Sequence, residues 1–160
     1  ASAGKKIGAA LAAFGFYAFW YPRQWFSWSG WPRHASFGPR LADHLRFVEG
    51  TSHRLARALF HGAVRHQARL ASRQQLLGRL VDVGADLFAM VAACSKAHAM
   101  VRRQPSEQSP VEAADLFCRL ARRRVVEVLQ RLGDNDDHRS YRLAQDVLGG
   151  RFEWLEEGIL

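Results

Sequence analysis

The sequence predicts an all-α fold: an antiparallel up-and-down helical bundle of three long helices plus a shorter fourth, preceded by an aromatic, basic N-terminal helix and strap. Three observations predict it. Apolar residues recur at three- and four-residue steps over long stretches, no run of β-branched residues alternates with polar ones, and the long stretches are joined by short polar breaks holding proline or glycine. The expected division is residues 1–37 for the amphipathic helix and Trp/Arg-rich strap and 38–160 for the bundle. With 160 residues, 48% hydrophobic and 24% charged, the chain can bury a core of ordinary size.

The first element is an apolar run from Ile7 to Trp20 behind Lys5 and Lys6. Tyr21-Pro22-Arg23 follows where a secretory leader would carry a small-x-small cleavage site, and the run is shorter than the ~20 residues a spanning helix needs. Neither targeting nor membrane insertion is therefore expected. After Gly38-Pro39, residues Leu41, Leu45, Val48, Leu55, Leu59 and Ala63 mark a helix from Pro39 to near His66, with proline at home in the first turn. A second helix is expected from near Ser72 to Val101, its apolar stripe being Leu77, Leu80, Gly84, Leu87, Val91, Cys94, His98 and Val101. Gly84 on that stripe would let a neighbouring helix approach closely.

A polar break, Arg103 to Pro110, ends in a helix-start signal: Ser109 as N-cap, Pro110 behind it and Glu112 reaching back. The third helix then carries Val111, Ala114, Phe117, Cys118, Ala121, Val125, Val128 and Leu132 inward and stops at Gly133, read as a left-handed cap. Asp134 to Asp137 supply capping groups for the short fourth helix, whose inward residues are expected to be Tyr141, Ala144, Val147 and Leu148. Gly149-Gly150 ends it, and Phe152, Trp154, Leu155 and Ile159 leave a tail to dock against something.

The formal net charge is +8, and it is uneven: residues 1–42 contain no acid, whereas Asp134 to Leu160 hold seven acids against three arginines. An anionic surface, a phosphate-bearing ligand or an acidic partner domain suits such a balance. Arg119, Arg122, Arg123 and Arg124 cluster on the third helix, and Arg54, Arg57, Arg65 and Arg69 on the first. They wrap around the helices instead of lining one recognition face, so nucleic acid is disfavoured. Cys94 and Cys118 fall on apolar helix positions with no metal-ligand spacing, which points to packing in a reducing cytosol.

Catalytic candidates do not assemble. Asp82 and Asp86 are spaced for a shared metal but no Glu-x-x-His accompanies them, and Arg79 suggests an ion-paired face. His61 and His66 fall on different faces, and no phosphate-cradling loop or nucleophile motif occurs. No catalytic, cofactor-binding or metal site is expected. The most unusual segment is the strap, where Trp20, Tyr21, Trp25, Phe26, Trp28 and Trp31 interleave with Arg23 and Arg33. These eight residues are the candidate membrane or interdomain contact, because tryptophan and arginine suit both a water–lipid boundary and a strap packed over helices.

Several stretches resemble the C-terminal extension of acyl-CoA dehydrogenases of the very-long-chain type, bacterial ones especially: Leu41 to Glu49 with Leu55 to His61, Val81 to Met90, Ala114 to Ala121, and the closing Tyr141 to Gln145 and Trp154 to Gly158. The resemblance implies a helical domain that packs on preceding catalytic domains and, in related enzymes, helps association with membranes. It further implies a full-length enzyme that uses FAD and a glutamate base to oxidise fatty acyl-CoA thioesters to trans-2-enoyl-CoA. The FAD site and the base belong to the preceding part, so the piece alone is expected to be inactive. Expected partners are those catalytic domains and an anionic membrane surface on the inner, cytoplasmic face, and a homo-oligomer is compatible with the pattern. The competing reading is a stand-alone cationic helical module that binds anionic membranes or nucleic acid.

Overall fold

The structure, a computed structural model, describes residues 15–25, 34–67, 70, 73–155, 157 and 158. Residues 15–23 are helical (α1). A 3₁₀ turn at Ala35–Phe37 (η1) leads into α2 (Gly38–His66), followed by α3 (Gln74–Arg103), α4 (Ser109–Gln130), α5 (Asp137–Leu148) and a closing 3₁₀ turn at Glu153–Leu155 (η2). No strand occurs among the described residues.

α3 packs along both α4 and α2, which also touch each other. Asp86 meets Arg124 while Cys94 meets Cys118, so α3 and α4 run antiparallel; Phe37 against His98 and Leu55 against Gly84 show the same for α2 and α3. The core is built from Leu41, Leu45 and Val48 of α2, Val83, Leu87, Met90, Cys94 and Ala97 of α3, and Ala114, Cys118, Ala121, Val125 and Leu129 of α4. Small side chains at Ala114, Cys118 and Ala121 let α4 lie close on α3, and the longer Met90 fills the space they leave.

The α3 stripe is rotated from the expected one. Val83, Met90 and Ala97 are buried, whereas Val91 is exposed and Leu77, Gly84, His98 and Val101 are half-buried. Along α2 the expected stripe holds to Val48 and then weakens: Leu59 and Ala63 are exposed and Thr51 and Gly62 are buried instead. At Gly84 an added Cβ would meet Leu55 Cδ2 at 3.8 Å, an ordinary contact, so this glycine is not required for the approach of α2.

The helix ends also differ in detail. α4 begins at Ser109 without the anticipated reciprocal cap; the Glu107 carboxylate accepts the Ser109 amide at 2.9 Å, and hydrogen bonding to the Ser109 side chain and amide holds its pKa below the usual range. Gly133 does not adopt a left-handed conformation. The Asn135 amide instead donates to the free carbonyls of Arg131 and Leu132 at 3.0 and 3.4 Å, closing the end of α4 from the side. The one glycine whose φ matters for the bundle is Gly38, at 74°, where the chain turns from η1 into α2.

α5 corrects a further expectation. None of its residues is buried, and Tyr141, Ala144, Val147 and Leu148, expected inward, are exposed. Its amphipathic pattern is real, but no described helix lies against the apolar side. A two-bond pairing of Arg79 with Asp137, at 2.7 and 2.5 Å, ties its first turn to α3. In the tail Phe152 is half-buried while Trp154 and Leu155 stay exposed; Ile159 lies outside the described residues.

Candidate functional site

The arm is a seat of aromatic rings on the second half of α2. Tyr17, Trp20, Tyr21 and Gln24 recur at helical spacing, so one side of α1 faces α2. Phe60 sits among Tyr17, Trp20 and Tyr21 at ring separations of 5.1, 5.9 and 5.1 Å. Tyr21 Oη pairs with His61 Nε2 at 2.7 Å, and His53 Nδ1 donates to Gln24 Oε1 at 2.8 Å. Arg57 donates to the Gln24 carbonyl and lies over the Trp25 ring, 4.6 Å from its centre. The opposite side of α1 carries Phe16, Phe19 and Arg23 outward, with Phe19 79% exposed. Among the eight strap candidates, Trp20 and Tyr21 are half-buried against α2, Arg23 is exposed and Trp25 is 60% exposed. Phe26, Trp28, Trp31 and Arg33 lie outside the described residues.

The receiving residues His53, Arg57, Phe60 and His61 were not singled out together. Their spacing of four, seven and eight puts them on one side of α2, away from Leu41, Leu45 and Val48, and that second periodicity was the available signal.

A polar node joins α2 to α4. His44 is 2% exposed; its Nε2 meets Asp115 Oδ1 at 2.8 Å and its Nδ1 meets Arg122 at 3.3 Å. A guanidinium can only donate, so Nδ1 accepts and the imidazole proton sits on Nε2, aimed at Asp115. The same Arg122 pairs with Asp43 at 2.6 Å and lies over the Phe47 ring, and Arg119 pairs with the second oxygen of Asp115 at 3.0 Å. The His44 bond, helped by Arg119, holds the Asp115 carboxyl below the usual range; Arg122 does the same for Asp43. Arg40 and Arg123 complete a cleft of about 430 Å³ here. Of the α4 arginine cluster, Arg122 and Arg124 thus pair across helices, with Asp43 and Asp86, and Arg119 pairs within α4, so the cluster does not form one free cationic face.

Asp82 and Asp86 do not act together. Asp86 pairs with Arg124, and Arg79, expected beside Asp82, pairs with Asp137 of α5. Cys94 and Cys118 are fully buried with sulfurs 3.7 Å apart; the contact with Cys94, together with burial, pushes the Cys118 thiol up. No group of three His, Cys, Asp or Glu residues placed for a metal occurs among the described residues, and no helix there is long and apolar enough to cross a membrane.

Polar groups that pair with one another across helix interfaces, and aromatics that pack a short helix onto a long one, define a helical packing domain. Residues 39–149 match the model of the family described as ACAD9/ACADV, C-terminal domain, and the chain belongs to that family. It is 47% identical over 158 residues to the probable acyl-CoA dehydrogenase FadE10 of Mycobacterium bovis and to that of two strains of Mycobacterium tuberculosis. The alignment covers 98% of this chain but 24% of each relative, so the chain spans about a quarter of their length. No solved structure matches it.

Proposed function

We propose that this chain is the C-terminal helical domain of an FAD-dependent fatty acyl-CoA dehydrogenase of β-oxidation, and that it packs on the catalytic part of that enzyme. The family match across the whole of α2 to α5 carries this reading. The described residues do not fit a flavin: they include no phosphate-cradling backbone loop, and in the cleft between α2 and α4 Asp43 and Asp115 already engage Arg122, Arg119 and His44. Flavin, glutamate base and acyl chain are accordingly assigned to the preceding part, and no step of the oxidation to residues of this chain. What the chain contributes is shape and surface. Absorbance tests the assignment: the purified chain should be colourless and inert towards acyl-CoA, and the longer enzyme yellow and bleached by it. Stoichiometric flavin retained by the chain alone would overturn it.

A second role is supported by the two-sided character of α1. With Trp20 and Tyr21 turned to α2, the outward Phe16, Phe19 and Arg23 combine rings and charge in the way an anionic lipid surface accepts. Residues 1–37, as a unit distinct from the bundle of 38–160, would then hold the enzyme peripherally on the inner, cytoplasmic face of a membrane. Co-sedimentation with anionic vesicles at low salt checks this. Pelleting that fades as salt rises is expected, and its absence would remove the role.

A further inference from the structure

α3 carries apolar residues on its reverse side as well as on its buried side, whereas α2 and α4 bury their longest apolar stripe in the core. A helix of that kind is normally covered on every side. Here α2 and α4 cover the side bearing Val83, Leu87, Met90 and Cys94, and among the described residues the reverse side lies exposed. On that open side Gly78, Ala85, Ala92 and Ala99 follow one another at seven-residue steps. Val81, Phe88 and Ser95 form a second series offset by three. All seven are exposed, Val81 by 67% and Phe88 by 76%. This is the heptad spacing of a helix–helix seam, with small residues in one series so that a second backbone can come close and Val81 and Phe88 in the other to act as knobs.

We infer that this reverse side of α3 is the docking seam for a helix of the catalytic part of the same enzyme. The inference rests on the proposed function above and names the surface that function uses. The occupant follows from two observations. About three quarters of the relatives' length lies outside this chain, so the largest body available to cover the seam is the rest of the enzyme. The seven-residue spacing asks for a helix in particular, not a loop or a lipid surface. Lys96 and Arg103 project on the same side near the C-terminal end of α3, so the docked helix should place acidic residues there.

Hydroxyl-radical footprinting of the full-length enzyme against this chain tests the seam, because it reads side chains one by one. Phe88 and Val81 should lose reactivity several-fold in the full-length enzyme, with Leu116 and Leu120 on the exposed side of α4 as comparison. Protection of Tyr141, Trp154 or Leu116 with Phe88 unchanged would overturn the seam and leave the parent reading standing. No protection anywhere would overturn the parent reading itself. Protection of Phe88 in the isolated chain that grows with its concentration would assign the seam to a second copy and also overturn the inference. As a second measurement, Ala92→Trp adds bulk at an exposed position. It should leave the melting temperature of the isolated chain unchanged yet speed proteolytic release of this domain from the full-length enzyme; equal release from variant and parent would count against the seam.

Discussion

His44 shows how much depends on whether a polar pair is hidden. Its ring is almost wholly buried, so the Asp115 bond cannot be replaced by water without rearrangement. Asp115→Ala should cost about 1–3 kcal/mol in urea unfolding, because it leaves a buried N–H without an acceptor. Arg119→Ala removes the other partner of the same carboxylate but from a side chain 65% exposed, and should cost less than about 1 kcal/mol. Equal losses would show that the node acts as a surface ion pair. Acid should act through the same groups. Hydrogen bonds from His44 to Asp115 and from Arg79 to Asp137 lower both carboxyls, so their contribution is fully present above the ordinary carboxylate range and is lost as pH falls through the lowered folded values. The urea midpoint should therefore hold from neutral pH down to that range and then drop, and Asp115→Asn should flatten the drop. These partners were not legible in the sequence, because His44 lies 71 and 78 residues before Asp115 and Arg122 and only the packing of α2 on α4 brings it to them.

At the scale of the helix, the sequence revealed α2 to α5 and their approximate limits but not every facing. Of the apolar run expected from Ile7 to Trp20, residues 7–14 lie outside the described residues, and α1 continues through Pro22 to Arg23. α4 buries its longest apolar stripe in the core, so its inward residues could be read directly from their spacing. α3 has apolar residues on both sides, and no single chain can say which side meets α2 and α4; the reading accordingly missed Val83, Met90 and Ala97. α5 was read as facing inward because it is amphipathic, yet amphipathicity states only that something covers the apolar side, not what. Gly84 offers a direct test of facing. A methyl there would touch Leu55 at an ordinary distance, and a helix interior prefers alanine to glycine. Gly84→Ala should thus stabilise the chain by roughly 0.5–1 kcal/mol in thermal or denaturant unfolding. A loss would mean that α2 sits closer to α3 than described.

At the scale of the molecule, a bundle of three helices carries an arm at one end of its sequence and α5 at the other, both with apolar residues left outside. The arm's inner side is part of the fold. Trp20→Ala should lower stability by roughly 1–3 kcal/mol through lost packing on Phe60, whereas Phe19→Ala, on the outer side, should leave stability unchanged and alter only vesicle binding. The family could be read from the sequence because its helix-packing residues are spread along the chain; the arm's seat could not, since it depends on His53, Arg57, Phe60 and His61 meeting a separate helix. The two sulfurs at the centre, fully enclosed between α3 and α4, give the molecule an internal timer. A water-borne thiol reagent can reach neither until the two helices part, so both should be modified together and at the pace of opening. The slow trapping of one small pair of atoms then reports how often the whole bundle comes apart under conditions where nearly every copy is folded.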